Sequence, residues 1–338
     1  PTPTASARVA ASGSQSPISP TVRLASESGA VDDRELSLGD DAFERGDFSE
    51  AERHYQSARA VAPRSPGASV GLARVRIARL DLPLDYAVAK GNAVVMAAAA
   101  DLARTVKAAP AFGPASVELG RALLLLGEAP RALAALDTGT RLLDGVAEAH
   151  SQLGVAYLAV GRSDDSVKEL TRAVALDPQS SARRGNLGTA LLMAGRTQEA
   201  IGEYEARVRM DDGDARAHSD LGTALLGTQD LKRALAELER AVQIDPKRAA
   251  FHSNLGFALQ QSGHVDRALA EYREALRLEP NLVGAWINLG TALARDAHTR
   301  GQARAAFDRA SVLSPDDPRI KANLQELDAL EAREPPRR

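Results

Sequence analysis

Glu118, Gln152, Asn186, Asp220, Asn254 and Asn288 follow one another at intervals of 34 residues. Each stands directly before a Leu–Gly pair: Leu119–Gly120, Leu153–Gly154, Leu187–Gly188, Leu221–Gly222, Leu255–Gly256 and Leu289–Gly290. Three residues after each polar position come Arg121, Val155, Thr189, Thr223, Phe257 and Thr291. Residues three apart share a helix face, so the two sets draw one stripe per repeat. Asn and Asp are disfavoured in mid-helix by roughly a few tenths of a kcal/mol against Ala, so their recurrence asks for a reason. A side-chain amide offers donors and an acceptor and can pair with the peptide group of any sequence. The chemistry such a stripe can do is recognition of a polypeptide backbone. Copying of neighbouring repeats by duplication is the other source of the pattern.

No reactive set accompanies the stripe. The chain has no cysteine, which removes disulfides, thiolate metal sites and cysteine nucleophiles together. His150, His218 and His252 hold the same place in different repeats. A metal needs ligand nitrogens about 2 Å from one ion, whereas equivalent residues of adjacent repeats lie roughly 8–10 Å apart or more. These histidines read as packing or surface residues, and no catalytic, cofactor-binding or metal-ligating residue is expected. A net charge of -3 and a pI near 6.2 supply no basic field for nucleic acid. No apolar run approaches the roughly 20 residues of a membrane span.

The elements that must carry the stripe are helices. An earlier Leu–Gly pair at Leu38–Gly39 opens the series, and the interval of about 34 residues is a diagnostic repeat length. From Asp32 a first helix with Leu36, Leu38 and Ala42 leads to a turn at Gly46–Asp47. A second helix carries Ala51, Tyr55, Ala58 and Val61 and stops at Pro63, with Ser49 and Glu52 spaced as a capping box. Residues 1–31 are rich in Pro, Ser, Thr, Ala and Gly without apolar periodicity, and read as a disordered tether. The alternative is a tail that occupies the protein's own groove. The second repeat, 66–112, is longer than the others by about thirteen residues. Its extra length predicts an over-long second helix kinked at Gly91–Asn92, either shielding its neighbours or presenting a partner surface on Val94, Val95 and Met96. The fifth repeat departs from the pattern at Arg207, where a small residue is usual, and at Asp212, where Pro is usual. In the eighth, Ala303, Phe307, Ala310 and Pro315 arrive one place late, so its turn is one residue longer. Residues 316–338 form a closing helix, capped by Asp317 with Pro318 in its first turn and striped by Ile320, Leu324, Leu327 and Leu330, followed by a frayed end.

The positions that recur together, Leu–Gly on the first helix and small, aromatic or Leu, small, Pro on the second, resemble the tetratricopeptide repeat. The resemblance covers about nine-tenths of the chain. It implies an all-α fold, a right-handed α-solenoid of about eight helix-turn-helix units over residues 32–315 with a C-terminal capping helix, and first helices that line a concave channel. The Asn-Leu-Gly form is similar to the repeat domain of the O-linked N-acetylglucosamine transferases. That likeness implies a ladder of Asn186, Asn254 and Asn288, interrupted by Asp220, gripping an extended polypeptide. A related subfamily clamps a terminal carboxylate; its places here hold Ser151, Val155, Asn186, Arg216 and Asp220. Only Asn186 and Arg216 suit that ligand and Asp220 repels it, so it is rejected. Arg183, Arg184, Arg216 and Arg295 are either contacts for an acidic partner or solvated surface residues.

The expectation is a non-enzymatic scaffold or adaptor for complex assembly. It binds an extended or helical segment of another protein through Gln152, Asn186, Thr189, Arg216, Asp220, Thr223, Asn254, Phe257, Asn288 and Thr291. The alternatives are a substrate-recruiting subunit for a transferase on a separate chain, and a scaffold that forms homo-oligomers through the extended second repeat. The tether, the start at Pro1, the missing cysteine and the Ala, Arg, Leu, Gly and Asp bias favour a periplasmic or envelope-associated bacterial protein with a segment removed upstream, against a cytoplasmic one.

Overall fold

The computed structural model describes residues 22–25, 30–82 and 86–332. Among the described residues there are 17 α-helices and no strand. The rest of the expected tether and the frayed C-terminal end lie outside them. The chain divides into two units between Arg196 and Thr197, inside the fifth repeat.

The N-terminal unit holds α1 (Asp33–Glu44), α2 (Phe48–Val61), α3 (Pro66–Ala78), α4 (Ala93–Ala108), α5 (Gly113–Leu125), α6 (Ala129–Leu142), α7 (Ala147–Ala159), α8 (Ser163–Leu176) and α9 (Ser181–Met193). The C-terminal unit holds α10 (Thr197–Met210), α11 (Ala215–Gly227), α12 (Leu231–Ile244), α13 (Ala249–Gln261), α14 (Val265–Leu278), α15 (Val283–Ala294), α16 (Arg300–Leu313) and α17 (Pro318–Ala332). In each unit every helix packs on the next, and first helices of successive repeats also touch, α1 on α3 on α5 on α7 on α9, and α11 on α13 on α15 on α17. Each unit is an all-α solenoid whose core is completed by the neighbouring repeat.

Close packing inside a repeat rests on the Leu–Gly glycine. A Cβ at Gly39, Gly120, Gly154, Gly222 or Gly256 would stand 2.3–2.7 Å from Tyr55, Leu136, Leu170, Leu238 or Tyr272, in each case the residue 16 places on. At Gly290 the partner is Phe307, 17 places on, as the longer eighth turn requires. The turn between the two helices takes a left-handed residue: Gly46, Gly127, Gly161, Gly195 and Gly263 have φ between +75° and +80°. In the sixth repeat Gln229 holds that conformation at φ +62° without the freedom of glycine.

Three local expectations are corrected. The cap of α2 is Asp47, whose carboxylate accepts from Glu50 N–H at 2.8 Å, and Ser49 lies within the first turn. The insertion of the second repeat lengthens its second helix only slightly, to 16 residues against 14 in the others. It enlarges the turn before α4, because Gly91 at φ +76° breaks the chain and Asn92 caps α4 through Val94 and Val95 N–H. That turn leans on the third repeat: Ala87 and Ala89 N–H donate to Leu124 and Leu125 C=O, closing the C-terminal end of α5, and Tyr86 Oη donates to Gly127 C=O at 2.7 Å. Val95 is fully buried, so only Val94 and Met96 of the expected surface are exposed. The closing helix α17 buries Ile320 and Leu327, with Asp317 accepting from Arg319 N–H at 3.0 Å.

Three stability outcomes follow. Gly256→Ala forces its methyl against the Tyr272 ring and should lower stability by about 1–2 kcal/mol net of helix propensity. Gly202→Ala, where nothing lies within 4 Å, should raise it by up to about 1 kcal/mol. Gln229→Gly should relieve left-handed strain and add about 0.5–1 kcal/mol. Urea titration of the three variants beside the wild type checks both signs.

Candidate functional site

All ten expected residues lie on first helices and all are half-buried. Gln152 is on α7, Asn186 and Thr189 on α9, Arg216, Asp220 and Thr223 on α11, Asn254 and Phe257 on α13, Asn288 and Thr291 on α15. Their polar heads are differently employed. Gln152 Nε2 donates to Glu148 Oε1 at 2.7 Å, and Asn254 Nδ2 donates to Ser219 Oγ at 3.1 Å on the previous first helix. The hydroxyls of Thr223 and Thr291 donate back to Ser219 and Ile287 C=O, and Thr189 does the same to Gly185. Asn186 and Asn288 make no side-chain hydrogen bond among the described residues, so their amides stay open.

Asp220 belongs to a separate arrangement within the C-terminal unit. Arg207, at the departing position of α10, reaches Asp220 at 2.6 Å and Asp214 at 2.8 Å. Burial pushes the Asp220 carboxyl above its ordinary range, and the guanidiniums of Arg207 and Arg216 pull against that rise. Three unusual residues of one stretch are therefore one ion cluster, and Asp220 is committed to it. In the N-terminal unit Arg183 is equally occupied: it is buried and bridges Glu148 at 3.1 Å and Asp177. Neither reading of Arg183 as a surface arginine fits.

The recurrent histidines close repeats rather than face a ligand. His150, His218 and His252 each set Nδ1 at 2.7 Å from a glutamate 19 residues on, namely Glu169, Glu237 and Glu271. Each sets Nε2 at 2.8–3.0 Å from the carbonyl six residues back, of Asp144, Asp212 or Pro246. In the fifth and eighth repeats Arg184 donates to Pro178 C=O and Trp286 to Pro280 C=O from the same position. Among the described residues no group of three His, Cys, Asp or Glu could hold a metal, and no helix is long and apolar enough to cross a membrane.

A second, deeper arrangement lies in the N-terminal unit, on the face of α1, α3 and α5. Arg74 of α3 is fully buried, with Asp40 of α1 also at 0% exposure and Glu118 of α5 at 3%. Arg74 Nε donates to Glu118 Oε1 at 3.1 Å, its Nη1 to Asp40 Oδ1 at 3.4 Å, and its guanidinium stacks over Phe43. Tyr55 Oη donates to Asp40 Oδ1 at 2.9 Å. Burial alone would push the Glu118 carboxyl up, but Arg121 and Arg74 hold it below its ordinary range. Burial raises the Tyr55 hydroxyl, so it stays a donor.

Residues 22–25, placed by composition in the tether, lie on this cluster. Val22 and Leu24 are buried at 3% and 1%, while Arg23 between them is exposed and pairs with Asp41. Leu24 N–H donates to Asp40 Oδ2 at 2.6 Å, and Val22 C=O accepts from Arg74 Nη2 at 2.6 Å. Composition hid this stretch because three residues are too few to show periodicity. The signal that was available was the pair Asp40 and Arg74, charged residues 34 apart within apolar helix stripes.

Such helix pairs, stacked through an absent Cβ and presenting polar first helices, define an α-solenoid repeat protein. Models of the tetratricopeptide repeat match residues 36–83, 114–138, 151–215, 191–255 and 225–293, and the chain belongs to the tetratricopeptide repeat family. Among solved structures it is similar to a chain of the APC/C hetero-tetramer Cut9–Hcn1, at 15% identity and TM-score 0.63 over 90% of this chain and 57% of that one. It is also similar to Pseudomonas aeruginosa pilF, at 18% identity and TM-score 0.52 over 63% of this chain and 97% of that one. A third similar structure is YrrB, titled a TPR protein with an unusual peptide-binding site, at 20% identity and TM-score 0.44 over 54% and 95%. At these identities the likeness is one of fold. No match was found among curated proteins.

The His252 clamp has a pH signature. Both ring nitrogens face acceptors, and the Glu271 hydrogen bond, helped by Pro246 C=O and opposed by burial, raises its pKa above the ordinary 6.5. A raised folded pKa gives stability that is complete below about pH 6.5 and lost as pH rises through the folded value. The stability gap between wild type and His252→Asn should therefore be widest near pH 6 and shrink towards pH 9. A gap that stays constant or widens over that range contradicts the charged clamp.

Proposed function

We propose that this protein is a non-enzymatic scaffold that binds an extended segment of another protein on its first-helix faces. The observation that carries the reading is the register of the stripe in the C-terminal unit. Asp220, Asn254 and Asn288 stand at equivalent places on α11, α13 and α15, with Thr223, Phe257 and Thr291 one turn on, all half-buried. An open amide at Asn288 and a partly used one at Asn254 can each pair with a peptide group, in the manner of a ladder that reads backbone rather than sequence. Phe257 supplies apolar contact beside them, and Arg216 supplies charge. In the N-terminal unit Asn186 and Gln152 continue the same positions along α9 and α7.

Affinity capture from a cell lysate, read by mass spectrometry, tests this. The baits are the wild type, the double change Asn254→Ala and Asn288→Ala, and Asn186→Ala alone, each checked for helicity by circular dichroism. Two lost amide pairs should weaken a true ligand by about 1–3 kcal/mol, roughly tenfold or more. Equal capture by wild type and double variant sinks the ladder and leaves duplication as its source.

The exposed Tyr86, Val88, Val94 and Met96 favour a second reading, self-association through the second repeat. A light-scattering mass that stays monomeric at every concentration excludes it.

A further inference from the structure

We propose that the face of α1, α3 and α5 is a separate peptide-recognition site, and that Val22–Ala25 is a built-in ligand holding it closed. The ligand class it takes is an extended segment with apolar side chains two residues apart and a basic residue between them. A partner segment of that chemistry competes with the chain's own. This site lies on first helices like those of the ladder, with Glu118 at the stripe position of α5, but it uses none of the ladder's asparagines, so either can fail without the other.

The way the segment is held supports this. Val22 C=O and Leu24 N–H belong to alternate residues of an extended chain, and such groups point to the same side. Arg74 takes the first and Asp40 the second, each at 2.6 Å, so the site reads backbone. Val22 and Leu24 enter the apolar seat while Arg23 turns outward to Asp41, which is strand alternation on a helical surface. Main-chain bonds with pockets for alternate side chains are the general form of extended-peptide capture.

The seat is also built like a binding site rather than a core. A buried ionic cluster adds little stability compared with apolar packing. Here Arg74, Asp40, Glu118 and Tyr55 already satisfy one another in part. The segment's peptide groups add to these bonds: Asp40 Oδ2 accepts from Leu24 N–H at 2.6 Å and from Ala25 N–H at 3.4 Å, and Arg74 Nη2 donates to Val22 C=O. An occupant that offers N–H to Asp40 Oδ2 and C=O to Arg74 Nη2 at that spacing keeps these buried charged groups bonded. Seven residues, 26–32, join the segment to α1, so its effective concentration in cis is of millimolar order and masks the site from weak competitors.

The test uses the full chain and a fluorescent peptide of residues 18–28, read by anisotropy. Val22→Asp with Leu24→Asp evicts the segment without touching the seat. The evicted chain should bind the peptide at least about tenfold more tightly than the wild type, whose seat is filled. The same peptide N-methylated at Leu24 cannot donate to Asp40 and should lose about tenfold or more on the evicted chain. Equal binding to wild type and evicted chain, or binding to neither, overturns the proposal. So does an evicted chain that loses its helical circular dichroism or its cooperative melt, because the segment is then part of the fold. Indifference to N-methylation overturns the backbone recognition on which the proposal stands.

Discussion

The contact between the glycine of the Leu–Gly pair and a large side chain 16 residues on, or 17 in the eighth repeat, is the constraint on which the rest of each repeat depends. It fixes how close the two helices of a repeat can stand, and hence which first-helix residues are pressed inward and which stay half-open. Tyr55 shows how far the constraint reaches: its ring would meet a Cβ on Gly39 and another on Gly71. With the ring pinned between two helices, its hydroxyl is aimed at Asp40, and Asp40 in turn orients Arg74. A packing rule thus becomes a polar geometry without any further device.

Much of this was legible in the sequence, and for a physical reason. Repetition multiplies a weak signal, so the helix pairs, the late arrival of Phe307 and the closing helix could all be read from spacing. The stripe was equally visible, because its members recur with the glycine. Events that occur once were not. The enlarged turn before α4 reads as helix only by continuity with the Ala-, Val- and Met-rich run of α4 that follows it; Gly91 and Asn92 set the boundary between the two. Arg207 was visible as a misfit, but its partners Asp214 and Asp220 lie across a turn, and only the folded chain brings them together.

The two proposed recognition surfaces also differ in kind. The stripe carries neutral amides and hydroxyls that are half-open to solvent, several of them already bonded at home. The cluster of Arg74, Asp40 and Glu118 is fully enclosed and charged, and its geometry is set by three helices at once. A ligand leaving the first returns its amides to water at little cost. A ligand leaving the second must expose ions that burial has stripped of solvent. Exchange at the one is expected to be quick and at the other slow.

In the fourth to eighth repeats one position is filled in turn by histidine, arginine, histidine, histidine and tryptophan, all reaching the carbonyl six residues back. Reach and a donor are conserved from repeat to repeat, while the identity of the side chain is not. Arginine and tryptophan keep their donors at any physiological pH, but the ring of His252 titrates, with a pKa that the Glu271 hydrogen bond raises above its ordinary value. Mild alkali therefore acts on the seam that His252 closes and spares the one that Trp286 closes in the next repeat.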